Sequence, residues 1–157
     1  MGNPYTPPGA PVDDPSGPPR RSSLAAIGVG FAVDIFATLV FSVIFGIVAA
    51  AFVSSGGESL DQIADMVDRS RGLQLIGLAG GLCCTGLGGY AGARFANHSE
   101  YATAFAVGAA SLLFGEVTMM LASVPPEWWL RLLSDALVIP FALAGGHLRM
   151  QQKAAAA

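Results

Sequence analysis

Four long apolar segments, separated by short polar stretches, dominate the pattern of this chain. A helix needs about 20 apolar residues to cross a hydrocarbon core of ~30 Å, so each segment is long enough to span a membrane. The first has about 30 residues, or ~45 Å of helix, and must tilt or protrude. The pattern predicts an all-α fold, an integral membrane four-helix bundle. The predicted spans are about 24–53, 73–96, 102–124 and 129–148.

The polar stretch after the first apolar segment predicts a further, shorter helix over about 59–69. Ser59 and Gln62 have the spacing of a capping box at its start. Apolar residues then recur at helical spacing, with aspartates on the other faces. We expect an amphipathic helix that lies on the outer membrane surface or over the mouth of the bundle. A solvated acidic loop is the alternative.

The N-terminal stretch 1–22 holds seven of the ten prolines. Proline without apolar partners is typical of extended chain that builds no core, so we predict a disordered, Pro-rich cytoplasmic tail. The transmembrane domain follows at 23–150 and a short C-terminal tail at 151–157. The Met1-Gly2 start fits a loose myristoylation pattern. A cleaved or twin-arginine signal is a further alternative, but a signal's apolar region has only ~7–15 residues.

Composition narrows the class of function. The chain is 53% hydrophobic and 12% charged, about half the charged fraction of a soluble domain. It has no basic stripe interleaved with aromatic residues, so we expect no nucleic-acid partner. It also lacks the spacings of metal ligands, nucleophile elbows and phosphate loops, so we predict no enzymatic activity, no catalytic residue, no cofactor and no metal. The adjacent Cys83 and Cys84 are interpreted as small packing residues.

The distribution of basic residues predicts the orientation. With the N-terminus inside, five Lys and Arg residues lie inside and three outside. Arg20 and Arg21 directly precede the first helix, which usually dominates the choice of orientation. We therefore predict a multi-pass protein of the bacterial inner membrane with both termini in the cytoplasm.

Small residues mark one face of the second span at intervals of four positions, with a second GxxxG pair beside it. Such stripes allow the close backbone contact that drives helix association in lipid. The third span has a similar face, so we interpret the stripes as packing between the second and third spans. Homodimerisation through one stripe is the alternative. The residues concerned are Gly77, Gly81, Thr85 and Gly89, with Gly88 and Gly92, and in the third span Ala104, Gly108, Ser111 and Gly115.

Three acids fall inside the apolar segments, namely Asp34, Glu116 and Asp135. Ionisable residues inside a membrane are costly and indicate a functional site by default. In the predicted orientation all three lie near the middle or outer half and could converge inside the bundle, as a candidate polar site. Each also has an ordinary interpretation. Asp135 lies one turn from Arg131 and could pair with it, while Asp34 and Glu116 could be protonated and hydrogen-bonded.

Two stretches resemble known sequences. Asn3-Pro4-Tyr5-Thr6-Pro7-Pro8 resembles the opening of many small proteobacterial inner-membrane proteins. Gly88-Gly89-Tyr90-Ala91-Gly92-Ala93-Arg94-Phe95-Ala96 resembles the "GGYxAxR" helix end of uncharacterised four-span bacterial inner-membrane proteins. The resemblance implies a four-span architecture and no activity or binding residue.

These observations favour a non-enzymatic membrane protein with a structural or partner-binding role. Its expected partners are the lipid bilayer and either a second copy of the chain, as a homo-oligomer, or another membrane protein. The alternative is a component of ion- or proton-coupled transport that uses Asp34 and Glu116. Such a component would have to oligomerise, because four helices are few for a transporter.

Overall fold

The computed structural model describes residues 22–54, 56, 59–96, 99–121 and 128–155. They form α1 (Ser23–Val53), α2 (Leu60–Arg69), α3 (Arg71–Ala96), α4 (Glu100–Leu121) and α5 (Trp128–Ala155). Every helix except α2 is long and apolar enough to cross a membrane. The predicted fold class, an all-α membrane four-helix bundle, is confirmed. The predicted disordered tail lies outside the described residues, apart from Ser22.

The short helix α2 begins at the predicted capping box. The Ser59 backbone N–H donates to Gln62 Oε1 at 2.9 Å, and the Gln62 backbone N–H donates to Ser59 Oγ at 3.4 Å. The two bonds satisfy backbone donors that a helix start otherwise leaves without partners. Because α2 packs against α1 and α3, it lies at one end of the bundle, called here the α2 end. The opposite end, where α3 stops and α4 starts, is called the turn end.

Helix α5 is longer than the predicted span, which stopped at Leu148. It continues to Ala155, because its last turns bond to neighbouring helices. Tyr90 of α3 donates its hydroxyl proton to Gln152 Oε1 at 2.7 Å. Lys153 Nζ lies 2.9 Å from the Glu100 carboxylate at the start of α4. The turn end therefore carries a ring of polar contacts between helices, called here the collar. Hydropathy alone does not predict it.

Most buried residues lie in the half of the bundle nearest the turn end. On α4 they are confined to its first three turns, and on α5 to the section after Pro140. Helix α3 is central and packs most extensively against α1 and α5. Since a Gly has no side chain, these backbones approach closely. A Cβ added to Gly30 of α1 would lie 2.8 Å from the Gly88 carbonyl oxygen, and one on Gly145 of α5 would overlap the Gly86 carbonyl oxygen.

The interpretation that the small-residue stripe packs the second span against the third is wrong for most of its members. Gly88 faces Gly30 and Asp34 of α1, and Gly89 faces Ala142 of α5. Only Gly92 also contacts α4, where an added Cβ would lie 3.1 Å from Val107. The physical reason is that α3 has small residues on two opposed faces, so it can hold a different helix on each side.

Candidate functional site

Asp34 lies in the first half of α1, a helix that is long and apolar enough to cross a membrane. It is about eleven residues, or ~17 Å of rise, from the start of the helix. Only 3% of its surface is exposed. Ser111 of α4 donates its hydroxyl proton to Asp34 Oδ2, and Thr38 donates to Oδ1 at 3.5 Å. Both carboxylate oxygens therefore accept a hydrogen bond from a hydroxyl, and the first bond ties α1 to α4.

Asp34 also borders a cavity of about 350 Å³ between all four spanning helices, which we call the Asp34 cavity. Five hydroxyl-bearing residues line it, although most of the wall surface is apolar. Thr85 and Thr118 donate to the carbonyls of Gly81 and Gly115 in their own helices, at 3.3 and 2.8 Å. A hydroxyl that donates in this way still has oxygen lone pairs to offer. The hydroxyl-bearing side chains of the wall are Thr38, Thr85, Ser111, Thr118 and Ser134.

Two glycines predicted to pack helices instead border cavities. Nothing lies within 4 Å of a Cβ placed on Gly81 or on Gly115. Gly81 lines the Asp34 cavity, and Gly115 lines this cavity and the neighbouring one. Gly77 lines the neighbouring cavity, with the Phe45 ring 3.3 Å from where its Cβ would be. Glycines at the same four-residue spacing therefore make helix contacts in one half of α3 and border open space in the other.

Glu116 is paired with a cation that the local sequence did not indicate. Arg131 of α5 donates from Nε to Glu116 Oε1 at 3.3 Å and from Nη2 to Oε2. The expected ion pair of Arg131 with Asp135 is not formed, because Arg131 contacts Glu116 instead. Tertiary packing decides this, because α4 and α5 are antiparallel neighbours whose ends meet at the α2 end. A bidentate guanidinium–carboxylate contact is also stronger than a single-point pair.

The Glu116–Arg131 pair and Asp135 line a second cavity of about 280 Å³, called here the α2-end cavity. All five helices contribute to its wall, including α2 through Val67. Apart from the charged groups, the wall is mostly apolar. The side chains of Arg131 and Glu116 are 44% and 29% exposed, so this cavity communicates with the surroundings of the bundle.

The three acids predicted as a single polar site thus divide between two cavities. Glu116 and Asp135 share the α2-end cavity, whereas Asp34 borders the other. The separation follows from α4, where Ser111 and Glu116 lie five residues apart and so on different faces. The two cavities are adjacent, since Leu78, Gly115 and Ser134 line both.

Sequence reasoning missed Thr38 and Gly30 on α1. The signal was present, because Ala26, Gly30, Asp34 and Thr38 recur every four residues. This is a small-residue stripe that continues into two polar residues. Ala26 and Gly30 form the contact with α3, since a Cβ on Gly92 would lie 3.2 Å from the Ala26 carbonyl oxygen. The stripe therefore places Asp34 next to the close backbone contact between α1 and α3.

Two further features of the bundle involve polar side chains, namely a group of hydrogen bonds around His147 and the two cysteines. Tyr101 and His147 form a 2.6 Å hydrogen bond, and Gln151 lies 2.9 Å from the other ring nitrogen of His147. These bonds belong to the collar at the turn end. Of the two cysteines, Cys84 is buried and Cys83 is exposed, so only Cys84 is a packing residue inside the bundle.

Within the described ranges, no three His, Cys, Asp or Glu side chains lie together as candidates for a metal site. Comparison with known proteins adds no relative: the chain matches no protein-family model, no curated protein and no solved structure. Functional argument therefore rests on the geometry of the two cavities.

Proposed function

We propose that this chain is a non-enzymatic multi-pass protein of the bacterial inner membrane that takes part in ion- or proton-coupled transport. Asp34 is the group that binds the transported or coupling cation, either a proton or an alkali-metal ion. The observation that carries the proposal is a buried carboxyl group within an apolar helix long enough to cross a membrane, on the wall of a cavity that five hydroxyl-bearing residues also line. Intramembrane acids that face a cavity mark ion and proton pathways.

The chemistry of the wall supports this assignment. Carboxylate and hydroxyl oxygens are the ligands that hard cations prefer. A carboxyl group that takes up a proton gains a donor, and the neighbouring hydroxyls can reverse their role from donor to acceptor without moving their oxygens. Asp34 can thus change its charge state while keeping Ser111 and Thr38 as hydrogen-bond partners.

Both termini are proposed to lie in the cytoplasm, on the strength of Arg20 and Arg21. The α2 end then faces outward, and the α2-end cavity lies on the path from outside to Asp34. A reporter that is active only outside the cytoplasm should work when fused after Gly57 and fail after Asn97. The reverse pattern would overturn this orientation. The chain is proposed to work as a homo-oligomer or with another membrane protein, because one bundle is small for a transporter.

A structural or partner-binding role is the second candidate function. It is favoured by the fact that both Asp34 oxygens already accept hydrogen bonds. In that case Asp34 links α1 to α4 through a hydrogen bond and does not need to change its charge. Interhelical hydrogen bonds of this type contribute about 0.6 kcal/mol on average in a membrane protein.

Asp34→Asn separates the two candidate functions, because Asn keeps the shape and can still accept and donate hydrogen bonds. The full chain is reconstituted in liposomes that contain a pH-sensitive dye, and proton influx is followed under an imposed potential, with and without a sodium gradient. We expect flux with the wild-type protein and none with Asp34→Asn, while both remain folded by thermal unfolding.

Glu100→Gln is the matched control, since Glu100 is an acid at the start of α4 that borders neither of the two central cavities. It should transport like the wild type. If the wild-type chain gives no more flux than empty liposomes, or if Asp34→Asn transports normally, the transport proposal is wrong and the structural candidate remains.

A further inference from the structure

The α2-end cavity has an imbalance of charge. Its wall holds two carboxyl groups, Glu116 and Asp135, and one guanidinium group, Arg131. Arg131 directs both its Nε and its Nη2 donors at Glu116. Among the described residues of the wall, Arg131 is the only basic one, and its direct ion pair is with Glu116, whereas Asp135 lies near both groups without an ion pair of its own. With all three groups ionised, these described residues carry a formal charge of −1.

The remainder of the wall is mostly apolar, with Gln74 and Ser134 among its described polar residues, and comes from different helices. Phe45 of α1 and Val67 of α2 meet Met119 of α4 and Leu130 of α5 across the cavity. An apolar wall stabilises the body of a ligand through burial of its surface. The negative formal charge of the described wall favours a cation over an anion. Phe45 adds an aromatic ring to the wall, and aromatic rings attract cations through their quadrupole.

The size of the cavity limits the ligand. Its volume of about 280 Å³ lies just below the ~300–1,000 Å³ typical of sites for drug-sized molecules. A ligand with one small ring or a short branched chain fits, whereas a lipid or a peptide does not. The partial exposure of the Glu116–Arg131 pair gives such a ligand an entrance.

We propose that the α2-end cavity binds a small monovalent organic cation with an apolar body, and that Asp135 is its counter-charge. The Glu116–Arg131 pair forms a fixed, neutralised part of the wall. This proposal concerns a different cavity from that of Asp34, and binding there does not depend on whether Asp34 takes part in transport.

The test uses benzyltrimethylammonium, whose charge is permanent, and neopentylbenzene, a neutral molecule of nearly the same shape. The full chain is placed in nanodiscs of zwitterionic lipid, and binding is measured by titration calorimetry against protein-free nanodiscs. We expect saturable binding of the cation at least about tenfold tighter than that of the neutral isostere, which corresponds to ~1.4 kcal/mol. This comparison needs no variant, so a folding defect cannot obscure it.

Two substitutions then locate the site. Asp135→Asn should weaken binding of benzyltrimethylammonium about tenfold, or ~1.4 kcal/mol, whereas the control Glu100→Gln should leave it unchanged. Asp135→Glu should restore most of the affinity, which distinguishes loss of charge from loss of fold. The proposal is overturned if the neutral isostere binds as tightly as the cation, or if folded Asp135→Asn binds like the wild type.

The outcome is separable from that of the flux assay. Binding is measured without a proton gradient, and the probe neither gains nor loses a proton. Failure of benzyltrimethylammonium to bind would therefore remove the organic-cation site and leave the role of Asp34 to the liposome experiment. Binding without proton flux would keep the site and remove the transport proposal.

Discussion

The two halves of this bundle are built from the same small residues and differ in what those residues do. Near the turn end, Gly88, Gly89 and Gly145 bring backbones into direct contact and bury the surrounding side chains. Near the α2 end, Gly81 and Gly115 border open cavities. All three intramembrane acids lie at the boundary between the halves or in the open half.

The difference shows what a glycine in a membrane helix contributes. It removes a side chain, and the neighbouring helix decides whether the space is filled by backbone or left as a cavity. In the turn-end half, α1 and α5 present Gly30 and Gly145 to α3, so the helices close. In the α2-end half, the Phe45 and Phe41 rings lie against Gly77 and Gly80 of α3, so large side chains rather than backbone occupy that space.

The largest effect is expected from Gly145→Ala. The added methyl group would overlap the Gly86 carbonyl and lie 2.8 Å from the Tyr90 backbone nitrogen, and backbone atoms cannot rotate away. Overpacking of this kind costs about 1–3 kcal/mol and can exceed that. We expect a large fall in the midpoint of thermal unfolding in detergent, or loss of the folded monodisperse protein.

Gly115→Ala is the matched control in the open half, because nothing lies within 4 Å of its added Cβ. It should leave the unfolding midpoint close to that of the wild type. Equal destabilisation by the two substitutions would show that the halves are packed alike and would refute the comparison.

An intermediate effect is expected from Arg131→Met. Removing the cation leaves the Glu116 carboxylate without its partner, which for a fully buried pair costs about 3–5 kcal/mol. The pair is partly exposed, so solvent screens the unpaired charge and we expect a smaller loss, below that of Gly145→Ala. Thermal unfolding measures it.

The double variant Arg131→Met with Glu116→Gln tests the cause. Once the unpaired charge is gone, much of the lost stability should return. If the double variant is as unstable as the sum of the two single variants, the two residues do not interact and the pair is not a feature of the folded protein.

The smallest effects are expected from the exposed ion pairs at the two ends. Lys153 pairs with Glu100 at the turn end, and Arg69 pairs with Asp65 within α2. Lys153→Ala and Arg69→Ala should each change stability by less than about 1 kcal/mol, because such pairs are screened by solvent. If only one of the two substitutions caused a large loss of stability, charge rather than backbone contact would explain the difference in stability between the halves.

The sequence was sufficient for the fold class and for the capping box of α2, because both depend on local patterns: hydropathy over about 20 residues and a four-residue signal. The sequence did not predict the ion-pair partner of Glu116. The nearest basic residue in space, Arg131, is fifteen positions away in the chain and on another helix. The sequence also could not distinguish Gly81 from Gly88, because identical residues at a similar spacing differ only in which helix lies opposite.

The central position of α3 has a consequence for the biosynthesis of this protein. Gly88 finds its partner on α1, which is already made when α3 emerges, but Gly86 and Gly89 find theirs on α5, which is translated after α3 and α4. The groove that they form therefore stays open until α5 is inserted. A chain truncated before α5 would leave the backbone at Gly86 and Gly89 without its helix contact.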